Sequence, residues 1–398
     1  MNKKRSGFSM WLLIWGLGLA GQMCWNVENQ WFNTFVYAKI GKDPSIITGM
    51  LIWSAVATTF ANFFFGTWSD RTGKRRHFVT WGYILWGIFT IAFGLTEFIS
   101  KEVYTLVAVT VVLADSVMSF FGSMGSSAGF STWTTDLLTD KNRGGIGAAL
   151  ATQPVLGTLI GTVVGGILVG KDDNYMRLFV VMGLFVILFG VISLFTMDER
   201  DDAPAHKEGS FWKQFFSVFD FKRFFALKEL VLVHVAIAIF TIGFNAYFAY
   251  IGNYLIHYLG YSAAQMGIIE AVPLVFAMLS AIPIGMLINR DKHPYVGILQ
   301  VTKVWAKQLY PENAKGQFEG IWTIFFVLIP MVGGSLIGEA VVKTGGETFV
   351  NATSGQTEYI PNGNIFLVGA IVVLFTLIPL LLSIKYHRQR QAEKNSAA

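Results

Sequence analysis

Four amide side chains, Gln22, Asn26, Asn29 and Asn33, recur at spacings of 4, 3 and 4 within an apolar stretch. On an α-helix that spacing sets them along one face. Amides are costly in lipid unless they line water or protein, and they supply the donors and acceptors that hold hydroxylated solutes. Trp25, Glu28 and Phe32 form the adjacent stripe, and aromatic faces beside hydrogen-bonding groups suit sugar rings. The alternative is structural: helix-to-helix hydrogen bonds for the amides, an interfacial seat for Trp25 and plain packing for Phe32.

Two carboxyls are candidates for ion coupling. Glu28 stands in an apolar setting, which favours the neutral acid and lets a carboxyl exchange protons near neutral pH; its alternative is contact with water near a mouth. Asp115 begins a second polar stripe, Asp115, Ser119, Gly122 and Ser126, whose small residues leave room for a solute. Its alternative is a structural acid facing a neighbouring helix. Later in the chain Tyr247, Tyr250, Tyr254 and His257 share a stripe with Asn245 and Asn253 nearby, and Gln153, Glu270 and Glu339 are further polar groups in apolar runs. Aromatics at this spacing more often pack than bind.

The elements that must position these groups are membrane spans. Of 398 residues, 53% are hydrophobic and 14% charged, and the mean hydropathy is +0.52, far too apolar for an ordinary soluble protein. Ten apolar runs are long enough to cross a bilayer: Trp11 to Ala38, Ile46 to Gly66, Phe78 to Phe98, Val103 to Thr132, Gly145 to Val169, Arg177 to Phe195, Leu230 to His257, Ala263 to Ile288, Phe318 to Val341 and Ile365 to Ile384. The basic start reads as the flank of a retained first helix, since the run after it is too long for a signal peptide.

Charge placement orients the spans. With both termini cytoplasmic, 24 of the 30 Lys and Arg fall on the inner side, leaving Lys39, Lys42, Lys101, Lys171, Arg177 and Lys343 outside, as the positive-inside rule requires. The net charge of +5 therefore reflects topology and calls for no nucleic acid. Cys24 is the single cysteine, so no intramolecular disulfide forms. Asn351 and Thr353 make a sequon read as chance. The chain has no phosphate-binding loop and no metal-ligand spacing; no cofactor, metal or enzymatic activity is expected, and energy must come from a gradient.

Gly66 to Arg76 reads Gly-Thr-Trp-Ser-Asp-Arg-Thr-Gly-Lys-Arg-Arg, and a degenerate copy runs from Gly285 through Asn289 and Arg290 to Lys292. This turn resembles the loop between helices 2 and 3 of the major facilitator superfamily. The resemblance implies an all-α membrane protein of two helical bundles. It implies a gate that includes Gly66, Asp70, Arg71 and Gly73, with a second ring from Asp136, Asp140, Arg143 and their copies Gln308, Glu312 and Lys315. Lys74, Arg75 and Arg76 fix topology and meet anionic lipid. Trp133 to Gly144 and Gln308 to Phe318 resemble the glycoside and sucrose type sugar:cation symporters. The second span carries no carboxylate, unlike the melibiose-type branch, so sodium is less expected than a proton.

The two copies expose a shortening. Gly66 and Gly285 are offset by 219 residues, but Trp133 and Trp305 by 172, so the second half is 47 residues short, about two spans. In family terms helix 9 and most of helix 10 are missing, near His293 to Tyr295. The expected organisation is a six-helix bundle over 1–197, a cytoplasmic linker over 198–228 with an amphipathic patch at Phe211 to Phe225, and a four-helix bundle over 229–398. Tyr295 to Leu309 reads as a helical stub ended by Pro311. The expected function is proton-coupled sugar transport by alternating access in the cytoplasmic membrane. The alternative is a membrane paralogue that binds a solute or partner without moving it.

Overall fold

The computed structural model describes residues 7–100, 103–139, 141–197, 209–216, 221–291, 305–306, 309–310, 315–351 and 355–397; the side chains of 277–278, 280–291, 315–317, 319 and 391–397 are not among them. Nine helices among the described residues are long and apolar enough to cross a membrane. Six come before the linker: α1 Gly7–Ile40, α2 Pro44–Thr72, α3 Arg75–Phe98, α4 Tyr104–Asp136, α5 Arg143–Val169 and α6 Tyr175–Thr196. The linker contributes two short helices, α7 Phe211–Phe216 and α8 Phe221–Ala226. Then follow α9 Lys228–Tyr258, α10 Ala263–Asp291, α11 Gly320–Gly345 and α12 Asn364–Arg390. The tenth expected span is α10, whose described apolar stretch is Ala263–Phe276. Most of the expected stub lies outside the described residues, as do Asp140, Gln308, Glu312 and Pro311.

Local sequence sets the boundaries of α2. Asp43 caps its start by accepting from Ser45 N at 2.9 Å, with Pro44 in the first turn, where a missing N–H costs nothing. Its end is Gly73, at φ +69°, a left-handed position that glycine adopts without strain. Gly66, expected in this turn, lies seven residues earlier inside α2, and a Cβ there would meet nothing within 4 Å.

Within the first half α1 packs on α5 and α6, while α3 packs on α4 and α6; in the second half α9 packs on α11 and α12. The halves meet where α2 runs along α11 and α5 along α10. One hydrophobic core joins the first half to α9, and a second gathers Phe224, Leu230, Trp305 and Phe318 near the linker. The amphipathic patch forms α7, which lays Phe211 and Phe215 against Phe64 and Phe60 of α2 at ring distances of 5.4 and 6.2 Å.

At the end of the bundle away from the linker, the α11 to α12 connection folds as a hairpin, β1 Glu347–Val350 paired antiparallel with β2 Thr357–Ile360. The sequence reading had no strand. Tyr359 N donates to Lys42 O across the halves at 2.8 Å. Beside it Ser45 Oγ donates to Glu339 Oε1 at 2.9 Å, and Lys343 bridges both. Thr48 Oγ donates to Ser335 O at 3.3 Å, and Asn253 Nδ2 donates to Asn33 O at 3.1 Å. Hydrogen bonds thus fasten the seam at this far end.

Candidate solute cavity and buried carboxyl pair

A cavity of about 440 Å³ opens at the seam of the halves. From the first half Gln22, Trp25, Asn26 and Asn29 of α1 line it, with Thr158 of α5. The second half supplies an aromatic wall, Phe240, Phe244, Phe248 and Phe326, interrupted by Thr241 and Asn245. None of the lining residues is charged. Asn29 turns its Nδ2 to Trp25 O at 2.7 Å and Asn245 its Nδ2 to Thr241 O at 2.8 Å, which leaves each Oδ1 as an acceptor. Trp25 donates its indole N–H to Ser126 Oγ at 3.3 Å and tilts against Trp86.

The amide stripe holds for three residues and fails at the fourth. Asn33 is buried outside the cavity and donates to Asn29 O at 2.9 Å. Val27–Phe32 is π-helical, and its wider i→i+5 turn departs from the 3.6 period with which the face was read. Phe32 packs on Phe93 and Phe179. Tyr247 is likewise outside the cavity, against Phe244 and Phe366 at 5.4 and 5.6 Å. Thr158 and the Phe240, Phe244, Phe248 stripe were not singled out from sequence, because aromatics in an apolar helix look like packing.

Behind the cavity wall, Glu28 and Asp115 are both buried, at 7% and 2% exposure, so Glu28 does not reach water at a mouth. Ser119 Oγ lies 2.6 Å from Glu28 Oε1 and 2.9 Å from Asp115 O; Ser119 belongs to this pair and not to the cavity lining. Glu28 Oε2 and Asp115 Oδ1 have no hydrogen-bond partner among the described residues. Neither carboxyl enters an ion pair among the described residues. Ser119 thus ties the Glu28 carboxyl to the Asp115 backbone, and two buried carboxyls with no cation paired to them among the described residues can hold a proton or a small cation.

The gate residues expected from the turn motif divide. Asp70 and Asp136 converge on Arg75, whose Nη2 and Nε reach them at 2.9 Å each while Nη1 donates to Ser69 Oγ at 2.6 Å. Arg75, read from sequence as a topology charge, is a buried hub at 5% side-chain exposure. Arg71 donates to Gly209 O and Gln214 Oε1 of the linker, both at 3.0 Å. Asp70 and Arg71 therefore bind the first half and the linker here. Arg143 is exposed at the start of α5. Lys315 opens the helix Lys315–Thr323 that leads into α11, but its side chain, like those of Asn289 and Arg290, lies outside the described residues. Among the described residues no group of three His, Cys, Asp or Glu is placed to hold a metal ion.

Solved structures with this fold include a D-xylose-proton symporter, 15% identical over 94% of this chain and 97% of its own, with a TM-score of 0.62. The nucleoside transporter NupG is 11% identical over 96% and 99%, with a TM-score of 0.56. A peptide transporter solved with alafosfalin is 12% identical over 96% of each chain, with a TM-score of 0.66. No curated protein matches in sequence. The family model of the Major Facilitator Superfamily matches residues 10–302, most of the chain, and this integral membrane protein belongs to that superfamily.

Proposed function

We propose that the protein is a secondary transporter that moves a sugar or similar small polar solute by alternating access, coupled to protons, with a closer kinship to the glycoside and sucrose type symporters. The observation that carries this reading is the cavity at the seam, with amides on one wall, aromatics on the other and no charge between them. Amide oxygens accept from hydroxyls, and aromatic faces pack on the apolar face of a ring. An uncharged lining disfavours ionic solutes, whose desolvation nothing repays.

Glu28 and Asp115 are the coupling groups, both buried and neither in the cavity lining. Sodium is less favoured, since α2 has no carboxylate between Ile46 and Phe65 to offer to the pair. The gate consists of Gly66, Asp70, Arg71, Gly73, Asp136, Arg143 and Lys315 and must re-form its contacts as the halves rock; Gly66 makes no close approach in this state. The bias of Lys and Arg toward one set of loops supports cytoplasmic termini in a cytoplasmic-membrane protein.

Purified protein in liposomes, challenged with labelled sugars under an imposed pH gradient, tests the reading. Accumulation that collapses with a protonophore supports it. Solute binding without gradient-driven uptake supports the non-transporting alternative instead.

A further inference from the structure

A chain of hydrogen bonds leads from the cavity wall to the seam. Asn26 Nδ2 donates to Gln30 Oε1 at 3.0 Å, and Thr162 Oγ donates to the same oxygen at 2.8 Å. With its carbonyl oxygen doubly used, the Gln30 amide has one orientation available, and its Nε2 points across the seam and donates to Glu270 Oε2 of α10. The two helices are close here: a Cβ on Gly267, one turn before Glu270, would lie 2.7 Å from Thr162 O.

The other carboxyl oxygen, Glu270 Oε1, is buried with no hydrogen-bond partner among the described residues. Gln30 faces Glu270 from α1 and Thr162 from α5, neither of them titratable; from α9 the titratable group that faces it is Tyr247. His257, further along α9, packs instead on Tyr37. No Lys, Arg or His forms an ion pair with Glu270 among the described residues. Among the described residues a carboxylate in this place would meet one N–H and no cation. A carboxylic acid accepts from Gln30 with its carbonyl oxygen and keeps a proton on Oε1, with no net charge to bury.

We propose that Glu270 is a proton site at the seam, filled while the far end is shut and emptied as it opens. Parting α10 from α5 breaks the Gln30 bond, along with the hydrogen bonds that fasten the far end, and admits water, to which Oε1 passes its proton; no other covalent bond changes. By linkage, protons then favour closure: the far end shuts as pH falls and opens as pH rises. The inference rests on the alternating-access reading but not on the solute or on the Glu28 and Asp115 pair.

Spin labels on Val103→Cys and Thr348→Cys, in a Cys24→Ser background, report the far-end distance in liposomes without solute. The parent should shift from short to long distances as pH rises. Glu270→Gln should hold the short distance at every pH, whereas Glu28→Gln with Asp115→Asn should keep the pH response. Gln30→Met, which leaves the carboxyl in place, should move the midpoint of the response without abolishing it. Infrared difference spectra between low and high pH should lose one carboxylic acid C=O band in Glu270→Gln. A parent distance that ignores pH, or a Glu270→Gln protein that retains the parent response, overturns the proposal. Solute uptake is a separate readout, so its failure leaves this test standing.

Discussion

Ser119 Oγ lies 2.6 Å from Glu28 Oε1 and so joins a carboxyl of α1 to α4, the helix that also carries Asp115. If these carboxyls couple the gradient, Glu28→Gln and Asp115→Asn abolish uphill accumulation while solute exchange at equal concentrations persists. Unchanged uphill uptake in both variants removes them from the mechanism. Ser119→Ala removes a buried donor worth about 1–3 kcal/mol to its partner, and its gradient-driven uptake falls about tenfold or more.

The cavity reading separates residues that the sequence grouped together. Asn29→Ala and Asn245→Ala each delete an acceptor on the wall and raise the solute KM about 3–10-fold, the effect of one hydrogen bond. Tyr247→Phe, on a side chain packed outside the cavity, leaves KM within about twofold. Initial-rate uptake measures all three, and a larger effect at Tyr247 than at Asn29 contradicts the assignment.

The two motif glycines behave oppositely. Gly73 holds a positive φ of +69°, so Gly73→Ala costs about 1 kcal/mol of strain and lowers the melting temperature in detergent. Gly66 is helical with open space around it, and Gly66→Ala stabilises by up to about 1 kcal/mol through helix propensity. Equal shifts in thermal unfolding contradict the placement.

Arg75→Ala strips Asp70, Asp136 and Ser69 of a shared, nearly buried partner. Buried pairs cost about 3–5 kcal/mol to break; with Asp70 and Asp136 at 47% and 29% exposure, about 2–3 kcal/mol is expected after solvent screening. Arg75→Lys recovers only part of this, because an ammonium cannot span two carboxylates in the guanidinium's fork. Thermal unfolding of the purified variants reads the order.

Much of the fold was legible because lipid enforces a simple rule, apolar runs of sufficient length, and because Lys and Arg mark loops. The turn at Gly73 was legible for a similar reason: a short motif tied to one backbone geometry. The amide stripe was legible from Gln22 to Asn29 and lost at Asn33, since a π turn carries no clear sequence mark. Arg75 was hidden among three consecutive basic residues, where sequence cannot say which one turns inward. Gln30 lay off the stripe under a 3.6 period, so its bond to Glu270 depended on knowing which helices meet. The hairpin at Glu347 to Ile360 lies in a polar connection with little alternation to mark strands.

The central claim is that a solute crosses the membrane through the seam cavity at the expense of a proton gradient. The direct measurement is time-resolved uptake into proteoliposomes for a panel of uncharged sugars and glycosides, with the interior alkaline and again with equal pH. The account predicts transient accumulation above the external concentration only under the gradient, lost in Glu28→Gln. Uptake that never exceeds equilibrium for any member, by protein shown to bind one of them, would contradict it.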